Sequence, residues 1–168
     1  MTNMKVVYMN TLLELQLGHV LRERGWTLAT AESCTGGLVG HRITEVPGSS
    51  DYFMGGIIAY SYEAKEKFLD VDPETLETYG AVSEETAIEM AEGVREVFEV
   101  EVGIAVTGIA GPASDLSDKP VGLTWIAIST PRGTWAESYH WEKDRSGNKI
   151  QSAQAALELA MRIIRESA

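Results

Sequence analysis

The run Val102–Val106 reads Val-Gly-Ile-Ala-Val, with no polar side chain on either phase of a two-residue repeat. A strand with one wet face alternates apolar and polar. One that is apolar throughout is covered on both faces. Such a strand needs helices above and below it, and the rest of the chain supplies them. Leu12, Leu13, Leu15, Leu17, Val20 and Leu21 recur at helical spacing, and Gly25 stops that helix in the manner of a C′ glycine. Ser83 caps a second long helix with an acidic first turn. Its stripe is Ala87, Met90, Ala91, Val94, Val97 and Phe98. A third runs to the C-terminus and is expected to bury Ile150, Ala153, Leu157, Ala160, Met161 and Ile164.

Between the helices the sequence predicts a strand at 27–31, a helix from about Gly37 to Thr44, and a strand at 55–62. A short helix carries Ala64, Lys65 and Phe68. Asp72-Pro73 opens another, with Leu76 and Tyr79 facing inward and Gly80 ending it. Two strands, 121–130 and 134–141, flank Pro131-Arg132-Gly133 as a hairpin. Residues 1–9 read as an arm. Helices alternating with strands and closing on a hairpin imply one α/β domain with a mixed sheet, and 168 residues suffice for one full-sized core.

The formal net charge of −11 argues against a nucleic-acid backbone or an anionic membrane as the main partner. A locally positive site for a phosphorylated small molecule is compatible with it. No apolar run approaches the roughly 20 residues of a membrane span, and the first residues lack the order of a signal peptide. The single cysteine, Cys34, cannot form an intramolecular disulfide, which suits a reducing cytoplasm. His19, His41 and His140 lie far apart without metal-ligand spacing. The chain is therefore expected to need neither metal nor cofactor.

Two strands end in glycine-rich turns that carry a hydroxyl: Ser33 with Gly36-Gly37, and Thr107 with Gly108 and Gly111. Ligands of open α/β sheets bind outside the carboxyl ends of strands. Neither turn matches the dinucleotide fingerprint or the P-loop. In Thr30-Ala-Glu-Ser-Cys-Thr-Gly-Gly37, the following helix start would favour an anion or a developing oxyanion. Ser33 is then a candidate nucleophile, or else Ser33 or Thr35 is a plain N-cap. Lys65, just past the strand carrying Tyr60, is either an exposed helical lysine or, in a pocket, a base of lowered pKa for Ser33. Tyr60 is equally a strand residue or a proton relay. Cys34 is the better intrinsic nucleophile but also an ordinary small buried side chain.

Taken in order, residues 30–38, Pro47-Gly48-Ser49-Ser50, Tyr60-Ser61 with Lys65, Tyr79–Ser83, Thr107–Pro112 and Lys119-Pro120-Val121-Gly122 resemble the CinA C-terminal family. The resemblance spans about residues 10–165. It implies a three-layer α/β/α sandwich with a mixed, mostly parallel sheet. It also implies hydrolysis of the carboxamide of nicotinamide mononucleotide to nicotinate mononucleotide and ammonia. By position, Ser33 matches the family's nucleophile, Lys65 and Tyr60 the groups that activate it, and Thr107 a hydroxyl lining the site. The amides of Cys34 or Thr35 would hold the oxyanion. The phosphate would rest on a glycine-rich turn, Gly36-Gly37 or Gly108 to Gly111, helped by Arg145. Homo-oligomers are common in the family, and the hairpin near Trp125, Trp135 and Trp141 offers either a contact face or ordinary core.

The chain departs from the family pattern after Gly-Ile-Ala-Gly-Pro, where Ala113-Ser114-Asp115-Leu116 replaces a glycine-rich segment and brings a carboxylate toward the pocket. Lys143 replaces the glycine of Gly-Asp-Arg, and Lys149 or Ile150 stands where a further arginine is usual. These changes leave the nucleophile and base in place but alter the phosphate-binding region. Two further readings follow: a silent nucleotide-binding or partner-binding member of the fold, and an amidase for an amide lacking the phosphate.

Overall fold

The computed structural model describes residues 2–167, with side chains from residue 13 onward. The arm expected over 1–9 lies outside the residues described with side chains. Among the described residues a five-stranded sheet has the order β2-β1-β3-β4-β5. The strands are β1 (Leu28–Glu32), β2 (Phe53–Ile58), β3 (Val102–Gly108), β4 (Leu123–Thr130) and β5 (Gly133–His140). β1 pairs in parallel with β2 and β3, while β4 is antiparallel to both β3 and β5. Four of the five strands thus point one way, so the sheet is mixed and mostly parallel.

Two cores lie on its two faces. Helices α1 (Thr2–Arg24), α2 (Leu38–Thr44) and α6 (Arg145–Glu166) cover one face. There Leu17, Leu21, Ile43, Leu157 and Ile164 meet Leu28, Ile104, Val106, Ile126 and Ile128. Helices α3 (Tyr62–Leu69), α4 (Pro73–Tyr79) and α5 (Glu84–Val97) cover the other. That core sets Leu69, Leu76, Met90 and Val94 against Ala29, Ala31, Ala105 and Ala127. Large strand residues point to the first face and alanines to the second. The small side chains let α5 sit close to the sheet, where a Cβ on Gly103 would fall 2.1 Å from the Ala91 carbonyl oxygen. The three-layer sandwich follows directly from this division.

The expected helices form, with the predicted caps at Ser83 and Asp72, whose side chains accept from the Thr86 and Glu74 amides. Several details differ. β2 ends at Ile58, so Tyr60 lies in the connection and not in the strand. Tyr79, Val97 and Ile150 are exposed, not buried. Tyr79 ends its helix, and Val97 and Ile150 lie at the margin of their helices' buried faces, since Phe98 beside Val97 and Asn148 and Ser152 either side of Ile150 still pack inward. Within the hairpin, Trp125 packs on the α5 core, and Trp141 stacks on Tyr139 beside the α6 core. Trp135 alone of these three stays largely exposed. No helix among the described residues is long and apolar enough to cross a membrane.

Candidate active site

β1 and β3 deliver Ser33 and Thr107 side by side at the carboxyl end of the sheet. The Ser33 amide still donates to the Val106 carbonyl at 2.9 Å, and the Ala59 amide to the Glu32 carbonyl at 2.9 Å. The start of the loop is therefore pinned to both neighbouring segments. The turn closes with the Gly36 amide on the Ser33 carbonyl. Gly36 and Gly37 take positive φ, which favours glycine.

Lys65 comes from α3 and is 1% exposed. Its Nζ donates to Ser33 Oγ at 3.1 Å, to the Ala59 carbonyl at 2.8 Å and to the Tyr60 carbonyl at 3.4 Å. Among the described residues no carboxylate pairs with it. Burial therefore lowers its pKa from 10.5 to about 8. This arrangement gives Ser33 a directly bonded amine that loses its proton readily.

Cys34 faces the other way, into the core beneath α2 and α6. Burial and the Glu32 carboxylate push its thiol up to about 12. A Cβ on Gly108 would lie 3.1 Å from Cys34 Sγ, so the glycine makes room for it. The Cys34 amide donates to no other described residue, which leaves an N–H group beside Ser33 for an oxyanion.

The helix start itself is occupied. Glu32, 2% exposed, turns its carboxylate under the loop. Oε1 accepts from Thr35 Oγ1 at 2.6 Å and the Val39 amide at 2.9 Å, and Oε2 accepts from the Gly40 amide at 3.0 Å. The expectation that the first amides of α2 await a ligand anion is corrected: an internal carboxylate already binds them. Neither Ser33 nor Thr35 is the N-cap. Gly37 holds that position, without a side-chain cap bond. Glu32 was missed because a glutamate at a strand end looks like surface. The available signal was a capless Gly-Gly helix start five residues after a carboxylate.

The cleft over Ser33 holds about 200 Å³ and is walled by Tyr60, Tyr62, Lys65, Thr107, Asp115 and Arg145. Gly108, Cys34 and Ser33 form its floor. The Thr107 hydroxyl donates to the Ala81 carbonyl at 2.6 Å and so ties β3 to the connection between α4 and α5. The Tyr60 hydroxyl accepts from Arg145 Nη2 at 3.1 Å, while Arg145 Nη1 donates to the Gly111 carbonyl at 2.7 Å. Tyr60 thus reaches Lys65 through its carbonyl, while its phenol joins Arg145 at the mouth. Thr35, Gly36, Gly37 and Gly111 do not line this cleft: Thr35 serves Glu32 and Gly111 anchors Arg145. Asp115 lines it, as the altered loop led us to expect. Asn148, 2% exposed, also escaped notice in the sequence; it donates to the Ala110 carbonyl and holds the second glycine-rich loop against α6.

A wider groove of about 660 Å³ lies at the opposite end of the sheet, between α5 and the β4–β5 turn. Its charged residues, including Glu92, Arg95, Glu96 and Arg132, come with no buried base beside a nucleophile. That pairing occurs in the smaller cleft. Among the described residues no three His, Cys, Asp or Glu side chains gather in a metal-binding group.

Comparison with known proteins gives the family of the chain. The CinA C-terminal domain model matches residues 10–164. A CinA-like protein of Salinibacter ruber is 48% identical over 152 residues, covering 90% of this chain and 37% of that protein. The chain thus spans little more than a third of the curated relatives it matches. Among solved structures, a CinA superfamily protein from Klebsiella pneumoniae superposes with a TM-score of 0.90 at 28% identity, over 94% of this chain and 98% of that one. A competence/damage inducible protein from Agrobacterium tumefaciens superposes at 0.87 with 35% identity, over 91% and 94%. The chain belongs to the CinA C-terminal domain family.

Proposed function

We propose that this chain is a serine amidohydrolase that deamidates nicotinamide mononucleotide. The observation that carries the reading is the contact between the buried, unpaired Lys65 amine and Ser33 Oγ. Neutral Lys65 takes the Ser33 proton as Oγ attacks the carboxamide carbon. The oxyanion of the tetrahedral intermediate turns toward the Cys34 amide. The C–N bond breaks as the Lys65 ammonium returns its proton to the leaving nitrogen, and ammonia departs. Water then attacks the acyl-serine ester with Lys65 again as base. This releases the carboxylic acid and restores the Ser33 hydroxyl. Thr107 and Tyr60 serve as walls and anchors, and Arg145 is the cation at the mouth for the nucleotide's phosphate.

The test is incubation of the protein with nicotinamide mononucleotide in EDTA, measuring ammonia and nicotinate mononucleotide. Turnover should fall at least about a thousandfold in Ser33→Ala; turnover that survives the change removes Ser33 from the mechanism. A second reading, a silent nucleotide-binding member of the fold, draws on Asp115, whose carboxylate in the cleft is unusual for a site that takes a phosphate. Saturable binding without any ammonia release would favour it.

A further inference from the structure

The charged groups of the cleft are not equally committed. Lys65 Nζ already has three acceptors, and Arg145 donates through two nitrogens to Gly111 and Tyr60. Asp115 differs. Its Oδ1 accepts from the Ser117 amide at 3.1 Å and from the Ser117 hydroxyl, which fixes the carboxylate in its turn. Oδ2 accepts nothing, and among the described residues no cation lies within salt-bridge distance of it. Two tyrosines stand in the same cleft, Tyr60 at 63% and Tyr62 at 45% exposure. The Tyr62 hydroxyl accepts from the Ala81 amide at 3.2 Å, which steadies its ring. A free carboxylate oxygen beside held, half-exposed aromatic rings is the combination that takes a flat organic cation. A volume of about 200 Å³ suits a single ring with its carboxamide, leaving sugar and phosphate at the mouth.

We propose that the cleft selects for positive charge on the substrate ring, with Asp115 as the specificity-determining counter-charge for an N-substituted pyridinium carboxamide. The inference rests on the reading of Ser33 as the nucleophile of an amidohydrolase. A pyridinium bonded to ribose carries a full charge, delocalised over the ring. Its 1,4-dihydro form has nearly the same shape and the same phosphate but no ring charge. The two forms therefore isolate the ring charge from every other contact.

The experiment is titration calorimetry on the Ser33→Ala protein, which binds without turnover, using nicotinamide mononucleotide and its reduced 1,4-dihydro form. The oxidised nucleotide should bind at least about fivefold more tightly, the scale of one partly exposed cation contact. Asp115→Asn keeps the Oδ1 acceptor for Ser117. In that background the two forms should bind within about twofold of each other, with the reduced form's Kd unchanged. Equal binding of the two forms to the Asp115 protein overturns the proposal, as does a preference that persists in Asp115→Asn. Tighter binding of the oxidised nucleotide to Asp115→Asn also overturns it, since the carboxylate would then face the phosphate. Binding of neither form refutes it as well. Failure of the amidohydrolase reading is seen separately, as absence of ammonia release by the protein with Ser33 intact.

Discussion

Replacing Lys65 with methionine should abolish turnover and yet leave the protein as stable as before, or more stable, at neutral pH. Lys65 is 1% exposed, and burial lowers its pKa from 10.5 to about 8. Below pH 8 the amine is protonated in both folded and unfolded chains, and the folded state carries the whole penalty of an enclosed charge. Between pH 8 and 10.5 the folded chain has released its proton while the unfolded chain keeps it, so the stability of the native protein rises with pH. Above 10.5 both are neutral and the penalty is gone. The gap corresponds to about 3 kcal/mol against folding at pH 7. Methionine fills a similar volume without the charge. It leaves the Ala59 carbonyl without its donor, a loss of about 1–3 kcal/mol that does not vary with pH. The variant's stability relative to the native chain should therefore drop by roughly 2.5 kcal/mol between pH 7 and pH 10. Urea unfolding followed by tryptophan fluorescence at pH 7, 8, 9 and 10 measures this directly, and other titrating groups cancel in the difference. In the native protein kcat/KM should rise through pH 8 as the base deprotonates. Parallel stability curves for the two proteins would mean that Lys65 titrates as an ordinary lysine, and the argument for a neutral base beside Ser33 would fail.

Glu32→Ala removes the acceptor of the Thr35 hydroxyl and of two α2 amides. It should cost about 2–4 kcal/mol in thermal or urea unfolding, and formate, which fits the vacated position, should restore part of the lost melting temperature. Cys34, with its thiol pushed up to about 12, should hold only about one thiolate in ten thousand at pH 8. Iodoacetamide should label it slowly in the folded protein and fast in urea, and Cys34→Ala should keep kcat. Gly93→Ala would set a Cβ 1.9 Å from the Leu69 carbonyl oxygen. It should destabilise the protein by more than about 2 kcal/mol despite the better helix propensity of alanine, as read by denaturant midpoint.

The fold was legible because its strongest signals are local and agree with one another. Val102–Val106 demanded cover on two faces, and the helical stripes at 87–94 and 153–164 supplied it. What the sequence did not carry was how wide each buried face is. Val97 and Ile150 continue the period but lie at the margin of the buried face, exposed while Phe98, Asn148 and Ser152 beside them pack inward. Periodicity marks the side of a helix that faces a partner; how much of that side the partner covers is a tertiary fact. Strand β2 shows the same limit. Its residues favoured a strand through Tyr62, but pairing stops at Ile58 because β1 ends opposite it at Glu32.

The site divides along the same line. Ser33 and Lys65 were readable as candidates by residue type and by their places at strand ends, and their 3.1 Å contact needed the fold to bring α3 over β1. The choice between Ser33 and its neighbour Cys34 follows from strand alternation. Successive side chains leaving β1 point to opposite faces, so Glu32 and Cys34 go toward α2 and α6 while Ser33 goes toward α3. The serine meets the Lys65 amine; the intrinsically better nucleophile is buried on the opposite face. Alternation also sets Glu32 under the helix start. Its carboxylate offsets the positive end of α2 from below, so the donor left facing the cleft is the Cys34 amide of the turn itself. One residue of slip in β1 would bring Cys34 to Lys65 and aim Glu32 away from α2. The parallel register from Leu28 to Glu32 against Val102 to Val106 is therefore what fixes which side chain meets Lys65.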